Sequence, residues 1–498
     1  MKDQTEMLYR STRSALAPVT ASQAVLLGLA PDGGLYVPVS IPKLEIGPEQ
    51  LSAMNYRDTA NEVMRLFFTD FTEEELRDCI DGAYDSKFET AEPAVLKEAG
   101  DSYYLELFHG PTIAFKDMAL TILPRLMTTA AKKLGEKKEI VILTATSGDT
   151  GKAALSGFAD VPLTRIMVFY PKGGVSQIQE RQMVTQKGAN VGVAGVRGNF
   201  DDTQTGVKRI FTDAALREEL AGKGFQFSSA NSINIGRLIP QVVYYVYAYG
   251  QMVKSGAIKA GELLNFTVPT GNFGNILAAW YAKQMGLPVG RLICASNENK
   301  VLFDFFRSGS YDRRRPFVLT SSPSMDILIS SNLERLIFHA AGDDAEVTAQ
   351  LMKSLTEDGI YDISDAMREK LDSFAAGFAS EEETAAAINE TFKETGYCVD
   401  PHTAVAVSVC RKYYAKSGDP AKCVIVSTAS PFKFESAVMS AIGEKTDLPD
   451  LEMADKLAEV IGVNVPAAVS SLRDAPVLHD IVCGTDEMEK TVRTFLGI

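Results

Sequence analysis

The chain has 498 residues, of which 46% are apolar, so it can bury a large core, and its length favours about two to four domains. A formal charge of -14 argues against surfaces that bind nucleic acid or anionic membranes, because both need clustered Lys and Arg. The chain opens on a polar segment without the apolar core of a signal peptide, and no run reaches the ~18–20 apolar residues of a membrane span. These features predict a soluble, cytoplasmic protein.

The cysteines and histidines indicate neither a disulfide framework nor a metal site. The chain has only four histidines, and its six cysteines are far apart without a CxxC pair. We therefore predict reduced cysteines in the core and no bound metal. The cysteines are Cys79, Cys294, Cys398, Cys410, Cys423 and Cys483.

Residues 1–95 are predicted to form a helical N-terminal region. Helical periodicity covers residues 15–29, 56–71 and 73–84. A turn rich in Pro and Gly at residues 31–38 ends the first of these helices. We assign no catalytic role to this region.

Residues 96–230 alternate between short apolar strands and helical stretches. This alternation predicts parallel βαβ units, which would form a smaller α/β domain. The strand-like runs are residues 105–108, 139–144, 165–170, 190–196 and 225–228.

Residues 231–498 are predicted to form a larger α/β domain. Within it, residues 301–396 are polar and helical, as expected of an insert that closes over a site, and their one notable run is Ser-Ser-Pro-Ser-Met-Asp at 321–326. The remaining predicted elements are helices 233–253 and 276–285 and strands 264–269, 291–296 and 423–426.

The most informative stretch surrounds Lys116. A short apolar strand and a Gly110-Pro111 break precede it, and helical spacing over 114–126 places it in the first turn of a helix. A cation there opposes the helix macrodipole. An amine that is partly desolvated close to positive potential has a lowered pKa, which suits Schiff-base chemistry. Taken alone, the pattern is also typical of a surface lysine.

Two glycine-bearing turns each follow an apolar strand and begin a helix. Backbone N–H groups at such helix starts favour anions. The hydroxyl-rich turn within residues 143–154 predicts a pocket for a substrate carboxylate, and the turn within 269–276, which has two glycines, predicts a phosphate site. An ordinary βα turn is the alternative in both places.

Two further polar segments offer cationic and hydroxyl side chains. Residues 228–237 read Ser-Ser-Ala-Asn-Ser-Ile-Asn-Ile-Gly-Arg, and residues 424–434 end a strand with Ser-Thr-Ala-Ser-Pro-Phe-Lys-Phe. Arg237 supplies a fork that can bind a substrate phosphate, and Lys433 is the rival for that role. Helix capping by the Asn and Ser residues, and a solvated Arg, are the simpler explanations.

The stretch His109-Gly-Pro-Thr-Ile-Ala-Phe-Lys-Asp117 closely resembles the lysine segment HGPT-x-AFKD of the threonine synthase family. The segments described above resemble the TSGDTG, GNFG, SANSIN-x-xR and TAHPAKF segments of the same family, in the same order, across residues 9–434. The resemblance implies an α/β fold of the tryptophan-synthase-β type (fold type II), with two parallel-sheet, three-layer domains and a helical N-terminal region. It also implies pyridoxal 5'-phosphate, bound between the domains.

The resemblance implies a role for each matching residue. Lys116 would be the catalytic lysine that forms the Schiff base, and the Thr428 hydroxyl would meet the pyridine nitrogen. The implied cofactor-binding residues are Lys116, Gly271, Asn272, Phe273, Gly274, Asn275, Thr428 and Asp149. The implied substrate-binding residues are Thr146, Ser147, Gly148, Thr150, Ser229, Asn231, Arg237 and Lys433.

The chain departs from the family's usual pattern at three of these segments. Asp149 stands where relatives often have Asn, Asn275 where many have Asp, and Ser430 where His is common. His402, in a further segment that resembles the family, is assigned to structure or to orienting a neighbour, because a single His is more often a satisfied core residue.

The implied reaction converts O-phospho-L-homoserine and water into L-threonine and phosphate. One alternative is an eliminase with the same cofactor, such as a threonine or serine dehydratase or a phospho-lyase. The other is a non-catalytic, cofactor-binding relative. We expect a monomer or homodimer with a small-molecule substrate and no nucleic-acid or membrane partner.

Overall fold

The computed structural model describes residues 6–146 and 148–498. The N-terminal region contains strands β1 (Leu8–Ser11), β2 (Val19–Thr20) and β3 (Tyr36–Pro38) and helices α1 (Ala21–Leu27), α2 (Pro48–Ala53), α3 (Tyr56–Met64) and α4 (Glu73–Ala83). The middle of the chain contains β4 (Val95–Ala99), β5 (Ser102–Glu106), α5 (Asp117–Leu120), α6 (Leu123–Lys133), β6 (Glu139–Ala145), α7 (Asp149–Phe158), β7 (Thr164–Pro171), α8 (Gln177–Val184), β8 (Val191–Val196), α9 (Phe200–Thr212), α10 (Ala214–Gly222), β9 (Phe225–Ser228) and α11 (Ile235–Lys254).

The remainder of the chain completes both sheets and adds most of the surface helices. It contains β10 (Leu264–Pro269), α12 (Gly274–Gln284), β11 (Val289–Ser296), α13 (Val301–Ser308), β12 (Ser310–Asp312), α14 (Leu333–Ala340), α15 (Ala345–Glu357), β13 (Ile360–Asp362), α16 (Asp365–Glu369), β14 (Phe374–Phe378), α17 (Glu381–Thr395), α18 (Pro401–Ser417), β15 (Lys422–Ser427), α19 (Glu435–Ala441), α20 (Asp450–Ile461), α21 (Ala467–Ser470), β16 (Ile481–Cys483) and α22 (Met488–Leu496). Single 3-10 turns lie at Pro323–Met325 and Pro431–Lys433.

Two sheets organise the fold. The larger has six strands in the order β14-β11-β10-β15-β5-β4, parallel except for β4, which runs antiparallel to β5. The smaller has five parallel strands in the order β16-β8-β7-β6-β9. This arrangement confirms the predicted class of an α/β protein with two parallel sheets.

The strand pairing corrects the predicted domain boundaries. Strand β5, which we placed in the smaller domain at 96–230, pairs with β15 of the six-stranded sheet. Strand β16, which we placed in the larger domain, pairs with β8 of the five-stranded sheet. The predicted insert at 301–396 is not separate either, because its strand β14 extends the large sheet beside β11. The boundaries were drawn in chain order, whereas parallel pairing joins segments that are distant in the chain.

The N-terminal region is less helical than predicted. Strand β1 pairs antiparallel with both β2 and β3. The predicted helix at 15–29 is reduced to α1. Thr20 and Gln23 form a capping box, so the helix begins at Ala21, and it ends before Gly28, which has φ of 72°.

The structure tests the predictions about the cysteines and about membrane-spanning helices. All six cysteines are free; five are buried and Cys423 is half-buried, which confirms unpaired core residues. Burial raises the pKa of Cys79 to about 11 and that of Cys294 to about 12. Across residues 6–146 and 148–498, the longest apolar helices fall short of what crossing a membrane requires.

Glu435, at the start of α19, is a buried carboxyl group whose Oε2 atom has no hydrogen-bond partner among the described residues. Burial raises its pKa from the ordinary 4.5 to about 7. Between these values the folded protein keeps a proton that the unfolded chain loses, so stability falls as the pH rises through this window, by about 3 kcal/mol at most. We expect Glu435→Gln to raise the melting temperature at pH 8 and leave it unchanged at pH 4.

Thermal unfolding of the wild type, Glu435→Gln and Glu452→Gln at both pH values measures this effect. Glu452 is an exposed residue of the following helix, α20, and serves as the matched control. An equal gain at pH 4 and pH 8 for Glu435→Gln would contradict the assignment, because the gain would then not depend on the proton.

Candidate active site

The predicted site segments lie where parallel strands end, which is where open α/β sheets bind ligands. Segments of both sheets contribute: residues 107–116 follow β5, 146–148 follow β6, 229–234 follow β9, 270–273 follow β10 and 428–434 follow β15. A contact between Lys116 and Asp149 brings the end of β5 in the larger sheet next to the end of β6 in the smaller one. The site is therefore formed between the two sheets.

Lys116 is the N-cap residue of α5, one position before the helix rather than inside it. Its Nζ atom donates to Ser324 Oγ at 2.9 Å and lies 3.5 Å from Asp149 Oδ2. Only 9% of the residue is exposed. Burial lowers its pKa, Asp149 opposes that effect, and the positive charges of Lys433 and Arg237 add to it. The amine therefore has the environment that Schiff-base chemistry needs.

The segment before Lys116 is hydrogen-bonded to the residues that follow β15. Phe115 N–H donates to the Thr428 carbonyl at 2.8 Å, and Ser430 N–H donates to the Ile113 carbonyl at 3.1 Å. The 4%-exposed Thr428 thus lies beside the lysine segment. This position is compatible with the role implied for its hydroxyl, which stays a prediction.

Asp149 is a buried carboxylate at the first position of α7. Its Oδ1 atom lies 3.1 Å from Lys433 Nζ and accepts from Gln179 Nε2 at 3.1 Å, while Oδ2 accepts from Ser324 Oγ at 3.1 Å. Burial alone would raise the pKa of Asp149, but Lys433 and Lys116 outweigh it and hold the pKa well below its usual range. Asp149 is therefore ionised and acts as the counter-charge of both lysines.

Lys433 was predicted as one of two candidates for binding a substrate phosphate. It is 2% exposed, and besides Asp149 its Nζ atom contacts the Thr112 carbonyl oxygen at 2.9 Å. Its charge is already balanced by a carboxylate inside the protein. This pairing makes Lys433 the weaker of the two candidates.

Arg237 is the other candidate, in the first turn of α11, and is 4% exposed. Its Nη1 atom donates to the Ala230 carbonyl at 3.0 Å, and within the part of the chain that the structure describes its Nε atom has no partner. Burial lowers its pKa to about 10. A buried guanidinium without a carboxylate partner is costly unless a ligand supplies negative charge. These features favour Arg237 as the anion-binding residue.

The turn between β10 and α12 fits a phosphate group. A Cβ atom at Gly271 would lie 2.5 Å from the Ser324 carbonyl oxygen, so only glycine fits there. The carbonyl oxygen of Gly271 accepts from Ser330 Oγ at 2.6 Å, and that of Asn272 accepts the N–H and the side-chain amide of Asn332, both at 3.1 Å. These hydrogen bonds fix both carbonyl groups. The first N–H groups of α12 have no intrahelical partner and are therefore available to an anion.

Asn275, in the first turn of α12, is held by two tyrosines of α11. Tyr244 and Tyr245 each donate a hydroxyl to Asn275 Oδ1 at 2.6 Å. Its buried Nδ2 atom finds no partner among the residues described. An oriented but unused amide donor at a helix start, together with the glycine turn and buried Lys116, fits pyridoxal phosphate.

The loop between β6 and α7, which we predicted to bind the substrate carboxylate, is shaped by Thr146. Thr146 Oγ1 accepts the N–H groups of Gly148 and Gly151, each at 2.9 Å, so this oxygen shapes the loop. Gly148 has φ of 137°, a conformation that favours glycine. Ser147 lies outside the described residues, and Thr150 is half-buried in the first turn of α7. The substrate contacts of this loop stay predictions.

Two further predicted substrate residues lie on the turn before Arg237. Ser229 Oγ accepts the Asn231 N–H at 3.2 Å, and the Asn231 side chain is exposed. Asn234 then caps α11 by accepting the Gly236 N–H, which sets the start of the helix that carries Arg237. The substrate roles of Ser229 and Asn231 stay predictions.

Sequence reasoning missed Ser324, although it noted the surrounding run at 321–326. The signal is a Ser-Pro-Ser turn in an otherwise polar helical segment. His402 has the orienting position that we predicted, because its Nε2 atom accepts the Ser324 N–H at 3.1 Å. Its Nδ1 atom lies 2.7 Å from Asp400 Oδ2, so the ring is fixed from both sides.

Arg335 was also missed and acts as a junction behind the phosphate turn. It is fully buried, and its guanidinium contacts the Tyr36 carbonyl at 2.9 Å, the Ile233 carbonyl at 2.5 Å and the side-chain oxygen of Asn332. Burial lowers its pKa to about 10. Arg335 thereby connects the N-terminal region and the Arg237 segment to Asn332, which contacts the turn between β10 and α12.

We expect Arg335→Met to weaken binding of pyridoxal phosphate to the apo-protein by about tenfold, because Asn332 loses the hydrogen bond that orients it. Absorbance titration of the apo-protein measures the Kd. Arg217→Met, at an exposed position of α10, is the matched control. A variant that melts earlier but binds the cofactor as tightly as the wild type would show that Arg335 supports only the fold.

Three family models match the chain. The model described as "Threonine synthase N terminus" matches residues 8–84. The model "Pyridoxal-phosphate dependent enzyme" matches residues 92–429, and "Threonine synthase, C-terminal" matches residues 403–473. The second of these covers most of the chain, including four of the five site segments in full and the start of the fifth, at residues 428–429.

Curated proteins and solved structures show the same similarity. The human protein "Threonine synthase-like 1" is 42% identical over 434 residues, which are 84% of this chain and 58% of that protein, so the chain spans little more than half of this relative. The Saccharomyces cerevisiae "Threonine synthase" is 38% identical over 482 residues, covering 89% of this chain and 92% of that protein. The crystal structure of pyridoxal-phosphate-bound threonine synthase from Brucella melitensis superposes with a TM-score of 0.85 at 37% identity, over 98% of this chain and 99% of that one.

The lysine, the glycine turn and the helix start that fit the cofactor all lie inside the matched pyridoxal-phosphate model. The yeast protein is matched over 92% of its length, and residues 8–84 of this chain match the family's N-terminal model. This chain therefore belongs to the threonine synthase family of pyridoxal-phosphate-dependent enzymes.

Proposed function

We propose that the chain is a threonine synthase that converts O-phospho-L-homoserine and water into L-threonine and phosphate, the last step of threonine biosynthesis. The observation that carries this proposal is Arg237, a buried cation without a carboxylate partner among the described residues, whose charge helps to lower the pKa of Lys116. A substrate that brings its own phosphate would balance that charge. A dehydratase acting on threonine or serine would have nothing to place there.

The residues of this chain divide the work as follows. Gly271 to Asn275 and the start of α12 would hold the cofactor phosphate, and Thr428 the ring nitrogen. When bound, pyridoxal phosphate supplies an electron sink that makes the substrate Cα proton acidic. Lys116 is the base that takes this proton and carries it between neighbouring carbons, because a buried amine of lowered pKa is neutral for part of the time.

The charged side chains around Lys116 support its assignment as the base. Asp149 stays ionised because Lys433 pairs with it, so Lys116 has a fixed counter-charge at 3.5 Å. Arg237 would hold the substrate phosphate before the Cγ–O bond breaks and the released phosphate afterwards. The loop at residues 146–150 would bind the substrate carboxylate through its helix-start N–H groups.

The alternative functions are separable by substrate. We expect the wild type to consume O-phosphohomoserine and to form little 2-oxo acid from L-threonine or L-serine, which a coupled lactate dehydrogenase assay measures. Rapid 2-oxobutanoate formation from L-threonine would instead identify a dehydratase. Absence of absorbance at about 410–420 nm after incubation with the cofactor would favour a non-catalytic relative.

Location and assembly stay predictions. The six free cysteines agree with a reducing, cytoplasmic location. We expect a monomer or homodimer, which size-exclusion chromatography with light scattering distinguishes.

A further inference from the structure

We propose that Ser324 is a catalytic residue whose hydroxyl orients the Lys116 amine. The inference rests on the cofactor chemistry of the proposed function but not on the identity of the substrate. Ser324 lies in the segment that sequence analysis treated as an insert, and its hydroxyl touches the reacting nitrogen itself.

The hydroxyl bridges two groups of the site. Lys116 Nζ donates to Ser324 Oγ at 2.9 Å, and Ser324 Oγ donates to Asp149 Oδ2 at 3.1 Å. The direct separation of Lys116 Nζ and Asp149 Oδ2 is 3.5 Å, which is long for a hydrogen bond between charged groups. The serine is therefore the closer partner of the amine, and ionised Asp149 polarises it into a better acceptor.

The turn that carries Ser324 is held from three directions. Its N–H donates to His402 Nε2 at 3.1 Å. Its carbonyl packs against Gly271, where no side chain fits. Two residues later, Asp326 Oδ1 accepts from Asn297 at 2.8 Å and from Asn299 at 2.9 Å. A hydroxyl held this firmly can fix the direction of a flexible lysine side chain.

Orientation of the amine has a chemical consequence. Neutral Lys116 carries one lone pair, and the bond to Ser324 uses one of its two N–H hydrogens, which restricts rotation and directs the lone pair away from the serine. When pyridoxal phosphate is supplied, this lone pair would form the C–N bond with the aldehyde carbon. Both amine hydrogens would then pass to the aldehyde oxygen, which would leave as water as the C=N bond forms. Without Ser324 the amine can rotate toward Asp149, so a smaller fraction of its encounters with the cofactor aldehyde has the lone pair correctly directed.

The test measures cofactor capture by the apo-protein rather than turnover. Stopped-flow absorbance at about 410–420 nm reports the rate at which added pyridoxal phosphate joins Lys116. We expect Ser324→Ala to slow capture by about tenfold or more, and Ser324→Thr, which keeps the hydroxyl, to restore most of the rate. Ser324→Cys, of similar size but a weaker acceptor, should also be slow and serves if the alanine variant does not fold.

A cofactor analogue without the aldehyde separates orientation from pocket structure. The affinity of 4-deoxypyridoxine 5'-phosphate, measured by calorimetry, should be the same in wild type and Ser324→Ala, since its phosphate and ring contacts do not involve the amine. An unchanged capture rate in Ser324→Ala, or a parallel loss of analogue affinity, would overturn the proposal. If Ser324→Ala captures the cofactor slowly but the wild type forms no threonine, the proposed function is refuted and the role of Ser324 is still supported.

Discussion

Replacing Arg237 with methionine is expected to lower kcat/KM for O-phosphohomoserine by about 10²–10³-fold, because the substrate phosphate loses its charged partner. The same change should leave the melting temperature of the apo-protein unchanged or raise it. Arg237 is 4% exposed, and its Nε atom has no partner among the described residues, so an apolar side chain of similar length removes a desolvated charge. Loss of activity together with a gain in stability is the signature of a residue kept for binding.

Inhibition by inorganic phosphate decides between Arg237 and Lys433. Phosphate should inhibit the wild type competitively, and this inhibition should disappear in Arg237→Met. Arg217→Met, at an exposed position, is the control for loss of a positive charge. Phosphate inhibition that persists in Arg237→Met would assign the phosphate to another cation.

Replacing Asp149 with asparagine is expected to lower the free energy of unfolding by about 3–5 kcal/mol, because it leaves a buried lysine without its counter-charge. The Lys433 side chain is 0% exposed, and after the change its charge faces only neutral oxygens, such as the Thr112 carbonyl, among its described partners. Urea unfolding followed by circular dichroism measures the loss. Cofactor capture should also slow, since the Ser324 hydroxyl loses the ionised acceptor that polarises it.

A double variant tests whether the loss comes from the charge pair. Asp149→Asn combined with Lys433→Met removes both charges and should recover a large part of the stability lost by Asp149→Asn alone. A double variant whose loss equals the sum of the two single losses would show that the two side chains act independently. The pair would then not explain the depressed pKa of Asp149.

The elements that were predictable are those whose signals are local. Strand β10 was predicted at residues 264–269 and has those bounds, because an apolar run ends there at a proline and a glycine turn. The position of Lys116 near a helix start follows from Gly110-Pro111 before it and from helical spacing after it. The turn at Gly271 was predictable for the same reason, since its glycines lie between strand β10 and helix α12; its role in binding a phosphate stays a prediction.

What was missed depends on contacts between distant parts of the chain. Ser324 is 208 residues from Lys116, and no local pattern links a polar turn to that amine. The pairing of Lys433 with Asp149 has no local signal either, so in the sequence Lys433 remained a rival of Arg237 for binding the substrate phosphate. Strand β5 was assigned to the wrong sheet because its partner β15 lies near the other end of the chain.

The role of Arg335 could not be predicted from the sequence either. An arginine within a helix pattern is usually solvated, yet this one is fully buried and joins three segments through carbonyl and amide oxygens. Its neighbour Glu334 accepts from Thr12 at 2.6 Å and pairs with Arg13 at 2.7 Å, which fastens the N-terminal region at the same place. Only the three-dimensional arrangement reveals that the N-terminal region is connected through Arg335 and Asn332 to the turn between β10 and α12.

The yield of phosphate and L-threonine from O-phosphohomoserine, measured for the wild type and for Lys116→Ala, tests the proposed reaction. We expect equal amounts of both products from the wild type and neither from the variant, with the cofactor present in excess in both samples. Phosphate accompanied by 2-oxobutanoate instead of threonine would contradict the claim and identify an eliminase. Threonine formation by Lys116→Ala at the wild-type rate would contradict the assignment of the lysine.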